Sequence, residues 1–164
     1  MKAETHIAVG ALVGAAIVSQ TSGSQLDTDD LIIFLLSVFG ALLPDIDHEA
    51  SMISRRAGPL ALPFRLVSHR GVTHSLAAIA LLYFGLTKLG APQLIVIALL
   101  AGYASHIAAD MLTVQGVELL WPVCWRVRLL PKLLCISTGG VGEHVYAVVT
   151  FLLLLVIGVP LVIR

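Results

Sequence analysis

Polar residues interrupt this chain rarely, and the charge-free stretches between them read as helices. Five such windows stand out: Thr5 to Leu26, with its apolar part ending near Val18; Leu31 to Pro44, bounded by Asp30 and Asp45; Gly71 to Thr87; Leu89 to Ala109; and His144 to Ile163. A helix needs about 20 apolar residues to cross a hydrocarbon core of about 30 Å. The second window is short by that measure, since it rises only about 21 Å at 1.5 Å per residue. Gly90-Ala91-Pro92 reads as a tight turn between the third and fourth windows, and Ser22-Gly23-Ser24 as a flexible break between the first and second. The pattern predicts an all-α fold, a polytopic membrane bundle of about five spans forming one domain over residues 1–164.

Composition supports that class. Hydrophobic residues make up 58% of the chain and charged ones 12%, about half the charge of a soluble domain. Mean hydropathy is +0.97. A water-soluble protein, a disordered chain and a secreted disulfide scaffold are all excluded on these grounds. Ten basic residues balance ten acidic ones, which argues against a nucleic-acid partner. Cys124 and Cys135 match no metal or redox spacing. The first apolar run lacks a small-residue cleavage pattern and is expected to be retained. Two stretches are neither span nor tight turn. Ser51 to Ser68 sets Arg55, Arg56 and Arg65 among Leu60, Leu62, Phe64 and Leu66. Thr113 to Gly142 sets Arg126, Arg128 and Lys132 near Trp121 and Trp125. Both suit a segment lying in the headgroup layer, and both are equally compatible with an ordinary loop.

Charge then orients the bundle. Five alternating spans put Lys2, Arg55, Arg56, Arg65, Arg70, Arg126, Arg128 and Lys132 on the side of the N-terminus, with Lys88 and Arg164 opposite. Basic excess marks the cytoplasmic side. The same topology brings all six histidines, His6, His48, His69, His74, His106 and His144, to that side, together with Asp45, Asp47, Asp110 and Glu143. Each has an ordinary explanation taken alone. A histidine at a helix end is commonly an interfacial residue, and Asp45-Ile46-Asp47-His48 after Pro44 is a good turn. Thr5 and Thr73 read as helix-capping hydroxyls. Convergence on one end is what favours a site. His106 and Asp110 are spaced i, i+4 and share a helix face, a spacing that lets one helix offer two metal ligands. Imidazole and carboxylate suit zinc, manganese or iron, and a metal there would lower the pKa of water. Arg70, beside His69 and near His74, is either a phosphate contact or a positive-side anchor. No nucleophile elbow, P-loop or dinucleotide fingerprint occurs.

Four motifs in order carry a resemblance: Leu42-Leu43-Pro44-Asp45-Ile46-Asp47-His48, His69-Arg70-Gly71-Val72-Thr73-His74-Ser75, Gly102-Tyr103-Ala104-Ser105-His106-Ile107-Ala108-Ala109-Asp110-Met111-Leu112-Thr113, and Gly116-Val117-Glu118-Leu119-Leu120-Trp121-Pro122. Together they resemble the YdjM-like family, bacterial inner-membrane proteins described as predicted metal-dependent hydrolases, some called LexA-binding or LexA-regulated. The family's motif positions fall on His6, Asp45, Asp47, His48, His69, His74, His106 and Asp110. Their order is also similar, more loosely, to the ligand order of the helical zinc phospholipase C group. That group carries a further C-terminal His-x3-Glu pair, whereas Glu143 and His144 are adjacent here, which favours one or two ions over three.

The resemblance implies His6, Asp45, His69, His74, His106 and Asp110 as ligands to a divalent transition metal, zinc first, with manganese and iron as alternatives. Asp47 and His48 are the expected acid/base or ligand-supporting residues, and Arg70 the anion contact. The expected activity is membrane-bound hydrolysis of a phosphoester in a lipid or lipid-linked substrate. The expected location is the bacterial inner membrane, multi-pass, with the N-terminus and site cytoplasmic. A proton- or metal-coupled transporter and a non-catalytic membrane protein are the alternatives. A transporter needs polar residues deep in the membrane, and the middles of the second, third and fifth windows are apolar.

Overall fold

The computed structural model describes residues 1–23, 25–65 and 70–163. His69, expected as a ligand, and Arg164, used in the charge count, lie outside the described residues. The described residues form seven α-helices, in order α1 (Ala3–Thr21), α2 (Thr28–Gly40), α3 (Met52–Ala57), α4 (Leu62–Arg65), α5 (Leu76–Lys88), α6 (Gln93–Met111) and α7 (Val141–Ile163). Short 3-10 turns at Leu43–Asp47 and Val72–His74 precede α3 and α5. The described residues form no strand, only isolated bridges pairing Thr113 with Ile136 and Val117 with Val127.

Among the described residues three helices, not five, are long and apolar enough to cross a membrane: α1, α6 and α7. The second and third windows yield α2 and α5, of 13 residues each, which rise only about 20 Å. Each is shortened at the same end. α2 stops at Gly40 because Pro44 and the Asp45–Asp47 turn follow. α5 starts at Leu76 because residues 72–74 form a 3-10 turn that carries His74, and Ser75 caps the helix by accepting from the Ala78 N–H at 3.2 Å. Asp27 and Asp30, which bound the second window, close a reciprocal capping box on α2.

α1, α2 and α6 pack through small residues, the usual device where lipid removes the hydrophobic drive for helix association. A Cβ on Gly10 would meet Ala41 and the α2 backbone, and one on Gly14 would meet Phe34 and Ser37. On the other face of α2, Gly40 lies against the Leu99 carbonyl and Gly102 against the Ser37 carbonyl. Ser37 Oγ donates to the Ala98 carbonyl at 3.1 Å and ties α2 to α6. α7 packs on α1 and leaves a broad apolar face outward, including Phe151, Leu152 and Val156, as a lipid-facing helix does. α5 packs on α6 and buries none of its residues fully.

This order places the starts of α1, α5 and α7 and the ends of α2 and α6 at one end of the bundle. Both long loop regions lie there too. Residues 51–65 form short helices and turns that expose Leu60, Leu62 and Phe64 beside Arg55 and Arg56. Residues 112–140 fold back on α6 through the Thr113 and Val117 bridges. They expose Trp125, Leu133 and Leu134.

Candidate metal centre

Five of the sequence-predicted ligands, contributed by four segments, meet at that end. His6 lies on the first turn of α1, Asp45 in the turn after α2, His74 in the turn before α5, and His106 and Asp110 on the last turns of α6. All three imidazoles are fully buried, Asp110 nearly so, and Asp45 mostly buried. Two sets of side chains offer ligand atoms within 4.8 Å of one another: His6, Asp45 and His106, and His74, His106 and Asp110.

Hydrogen bonds fix which nitrogens face the cluster. His106 Nδ1 lies 2.7 Å from the Ala41 carbonyl, which can only accept, so Nδ1 carries the proton and Nε2 is a bare lone pair. The acceptor is a carbonyl left over at the end of α2. Thr73 Oγ1 donates to Asp47 Oδ2 at 2.6 Å, so it accepts from His74 Nδ1 at 2.9 Å. His74 Nε2 is therefore bare as well. The two bare nitrogens lie 3.1 Å apart. Asp45 Oδ1 is 3.6 Å from His106 Nε2 and 3.9 Å from His74 Nε2, and Asp110 Oδ2 is 3.9 and 3.7 Å from the same two atoms.

Facing lone pairs at 3.1 Å repel, and a proton or a cation between them removes the repulsion. Ligand atoms around a tetrahedral zinc, bonded at about 2.0–2.1 Å, lie roughly 3.3 Å apart, close to the spacings found. A second observation agrees. His6 stacks on His106 with ring centroids 3.6 Å apart and planes 13° from parallel. Among the described residues neither of its ring nitrogens has a hydrogen bond, although Nε2 is 3.4 Å from Asp110 Oδ1. A buried imidazole without partners is costly, and a cation ligated by one nitrogen offsets much of that cost. The donor set thus fits a divalent ion. Since Nδ1 of His106 is engaged, only its Nε2 serves either set, and the two sets compete for one ion.

The surrounding groups hold these ligands in place. Asp47 accepts from Thr73 Oγ1 and, at 3.4 Å, from the Arg70 N–H. Arg70 is buried, with Nη2 3.0 Å from Asp110 Oδ2 and Nη1 donating to Thr113 Oγ1 at 2.9 Å. Its φ of 66° is a left-handed conformation that costs a side chain roughly 1–2 kcal/mol; the bonds to Asp110, Asp47 and Thr113 hold it there. Among the described residues its Nε has no hydrogen-bond partner. Asp110 Oδ1 pairs with the Met1 ammonium at 2.5 Å.

The remaining candidates belong to neither ligand set. His48 is exposed beyond the turn, its Nδ1 accepting from the Ala50 N–H at 3.3 Å. His144 is exposed on α7 and bonds the Gly140 carbonyl. Glu143 is buried but ties α7 to the start of α1, accepting from the Lys2 N–H at 2.5 Å, the Gly139 N–H at 2.6 Å and Thr5 Oγ1 at 3.0 Å. So Thr5 and Thr73 are not the helix caps their sequence suggests. Thr5 fastens α1 to α7, and Thr73 joins a carboxylate to an imidazole. Three supporting groups escaped the sequence reading: Thr113, Tyr103, whose hydroxyl bonds the Thr73 carbonyl, and the Ala41 carbonyl. Thr113 lies one turn past Asp110 and so carried a spacing signal. A backbone carbonyl carries none.

These features define a class: a membrane-embedded helical protein with a buried imidazole–carboxylate cluster at one end of its bundle. The family model described as YdjM inner membrane protein matches residues 1–163. This chain belongs to that family. It is 44% identical to Inner membrane protein YdjM of Escherichia coli (strain K12) over 99 residues, 57% of this chain and 50% of that protein. The same figures hold for Inner membrane protein YdjM of Shigella flexneri. The chain spans about half the length of these two relatives. It is 34% identical to Uncharacterized protein YvsG of Bacillus subtilis (strain 168) over 146 residues, 88% of this chain and 86% of that one. No solved structure matches the chain.

Proposed function

We propose that this chain is a membrane-bound metal-dependent hydrolase acting on a phosphoester of a lipid or lipid-linked substrate. The observation that carries the reading is the pair of bare, buried nitrogens, His74 Nε2 and His106 Nε2, converging at 3.1 Å beside two carboxylates. His74 and His106 hold one divalent ion together with a carboxylate of Asp110 or Asp45, with His6 stacked on His106 beside them, and the ion is zinc by donor type. Such an ion supplies Lewis acidity, lowering the pKa of water and polarising a phosphoryl oxygen.

The chain's own groups do the rest. Asp47, acting through Thr73, keeps the proton on His74 Nδ1 and the ring pointed at the cluster. Arg70 orients Asp110, and its Nε is the guanidinium atom left for a substrate oxygen. His48, exposed at the rim of the turn that carries Asp45, moves a proton to or from the leaving group. The excess of Lys and Arg in the sequence at the site end supports a cytoplasmic location.

The test is release of water-soluble phosphate or head group from vesicles of bacterial polar lipids by purified, zinc-loaded protein. The reading expects hydrolysis that requires metal, vanishes in His106→Ala and slows in His48→Ala with metal retained. Equal hydrolysis by wild type and His106→Ala, or none from protein with a full complement of metal, overturns it.

A further inference from the structure

α5 is too short to span the core by itself, and one of its faces is a continuous apolar stripe. Ala78, Leu82, Leu86 and Leu89, at helical spacing, line a cavity of about 500 Å³, within the 300–1,000 Å³ range of ligand sites. From Ala78 to Leu89 this wall runs roughly 17 Å at 1.5 Å per residue. One leaflet contributes half of a core of about 30 Å, so the groove is about as long as one lipid tail. At its near end the wall is formed by Thr73, next to His74, and by Ile46, next to Asp45. Tyr103, three residues before His106, closes it on the α6 side.

We propose that this groove binds the hydrocarbon tail of a single amphiphile from the surrounding leaflet and leads its phosphate head to the imidazole–carboxylate cluster. The proposal deepens the hydrolase reading and rests on it for the head group. The tail is argued from three features: the groove's apolar lining, its length of one leaflet, and its continuity with the segments that carry His74 and Asp45. The second cavity, about 640 Å³, lies among α1, α2 and α7 and is lined by Asp27 and Asp30 at the opposite end of the bundle. It has the lining for a tail but no access to the cluster.

Gly85 provides the test. It lines the α5 groove, and a Cβ built on it meets nothing within 4 Å. A side chain can therefore leave the backbone there without a clash at Cβ, and leucine improves helix propensity and reaches into the tail's space. Gly158 on α7 lines the other cavity and is equally open, so Gly158→Leu is the matched control. The probe is a long-chain alkyl phosphate with a photoreactive diazirine near its chain end. It is incorporated at low mole fraction in phosphatidylcholine vesicles holding the full chain, and adducts are mapped by mass spectrometry.

The expected result is labelling concentrated on the groove face of α5. Gly85→Leu should reduce it about tenfold, since displacing two methylene groups is already worth that much in affinity. Gly85→Ala should give an intermediate loss and Gly158→Leu none. Labelling spread evenly over α5 and the outer face of α7, indifferent to Gly85→Leu, marks boundary lipid and overturns the proposal. So does an α5 face protected by a second copy of the chain. The two readings fail separately. Groove labelling in a protein that takes up no zinc, or that holds zinc and hydrolyses nothing, upholds the tail site and removes the hydrolase. Full metal content with no groove labelling removes the tail site alone.

Discussion

Thr73→Val removes one hydroxyl and leaves the shape of the side chain nearly unchanged. That hydroxyl takes the Nδ1 proton of His74 at 2.9 Å and gives its own proton to Asp47 at 2.6 Å. It is the covalent-free link by which a buried carboxylate fixes the tautomer of a ring whose other nitrogen faces His106. Without it, His74 is free to carry its proton on Nε2, the atom that must be bare to bind a cation. Loss of such a supporting partner typically lowers metal affinity 10- to 100-fold, about 1.4–2.8 kcal/mol. Fold stability should fall by about 1–3 kcal/mol, because a buried charge-assisted hydrogen bond is lost. The assay is competition for zinc against a chromophoric chelator in detergent, with thermal unfolding measured with and without metal. Thr73→Ser keeps the hydroxyl and should bind like wild type. Equal affinities for wild type and Thr73→Val, or a Thr73→Ser protein as weak as the valine form, would refute the assigned tautomer.

Three further outcomes follow from the geometry. Gly102→Val drives a side chain into the Ser37 backbone, so the α2–α6 contact should open at a cost of about 1–3 kcal/mol or more; an unchanged unfolding temperature in detergent contradicts the packing. Glu143→Gln replaces a carboxylate that accepts three bonds with a group that turns an N–H toward one donor. It should lose about 1–3 kcal/mol of stability while zinc stoichiometry stays at the wild-type value, and loss of metal would make Glu143 a ligand after all. Imidazole and carboxylate bind a cation only when unprotonated. Acid should therefore release the zinc once these neutral, buried imidazoles are forced to take up protons, and zinc still fully bound at about pH 3 rules out histidine ligation.

The gathering of the site was legible in the sequence because alternation alone decides which helix ends meet. The i, i+4 spacing put His106 and Asp110 on one face, and the windows placed His6, Asp45 and His74 at the same end. The number of spans was not legible. Charge-free windows count residues whether they build helix or not, and Gly71 to Ser75 carry no Lys, Arg, Asp or Glu and so extend the window while folding as the turn that delivers His74. The same ambiguity hid the roles of the small residues. Nothing in the pattern marks Gly40 and Gly102 as contact points, and the structure sets them against the Leu99 and Ser37 carbonyls. Arg70 was read as an open anion contact or an anchor. Its left-handed backbone turns the guanidinium inward to Asp110, and no periodicity encodes that.

The most direct test of the central claim is an anomalous difference map from crystals of the full chain soaked in zinc, collected at the metal's absorption edge. The account predicts one dominant peak between His74 Nε2 and His106 Nε2, about 2.0–2.2 Å from both and from a carboxylate oxygen of Asp45 or Asp110. No peak there, with zinc bound only at surface residues such as His48 or His144, would contradict it.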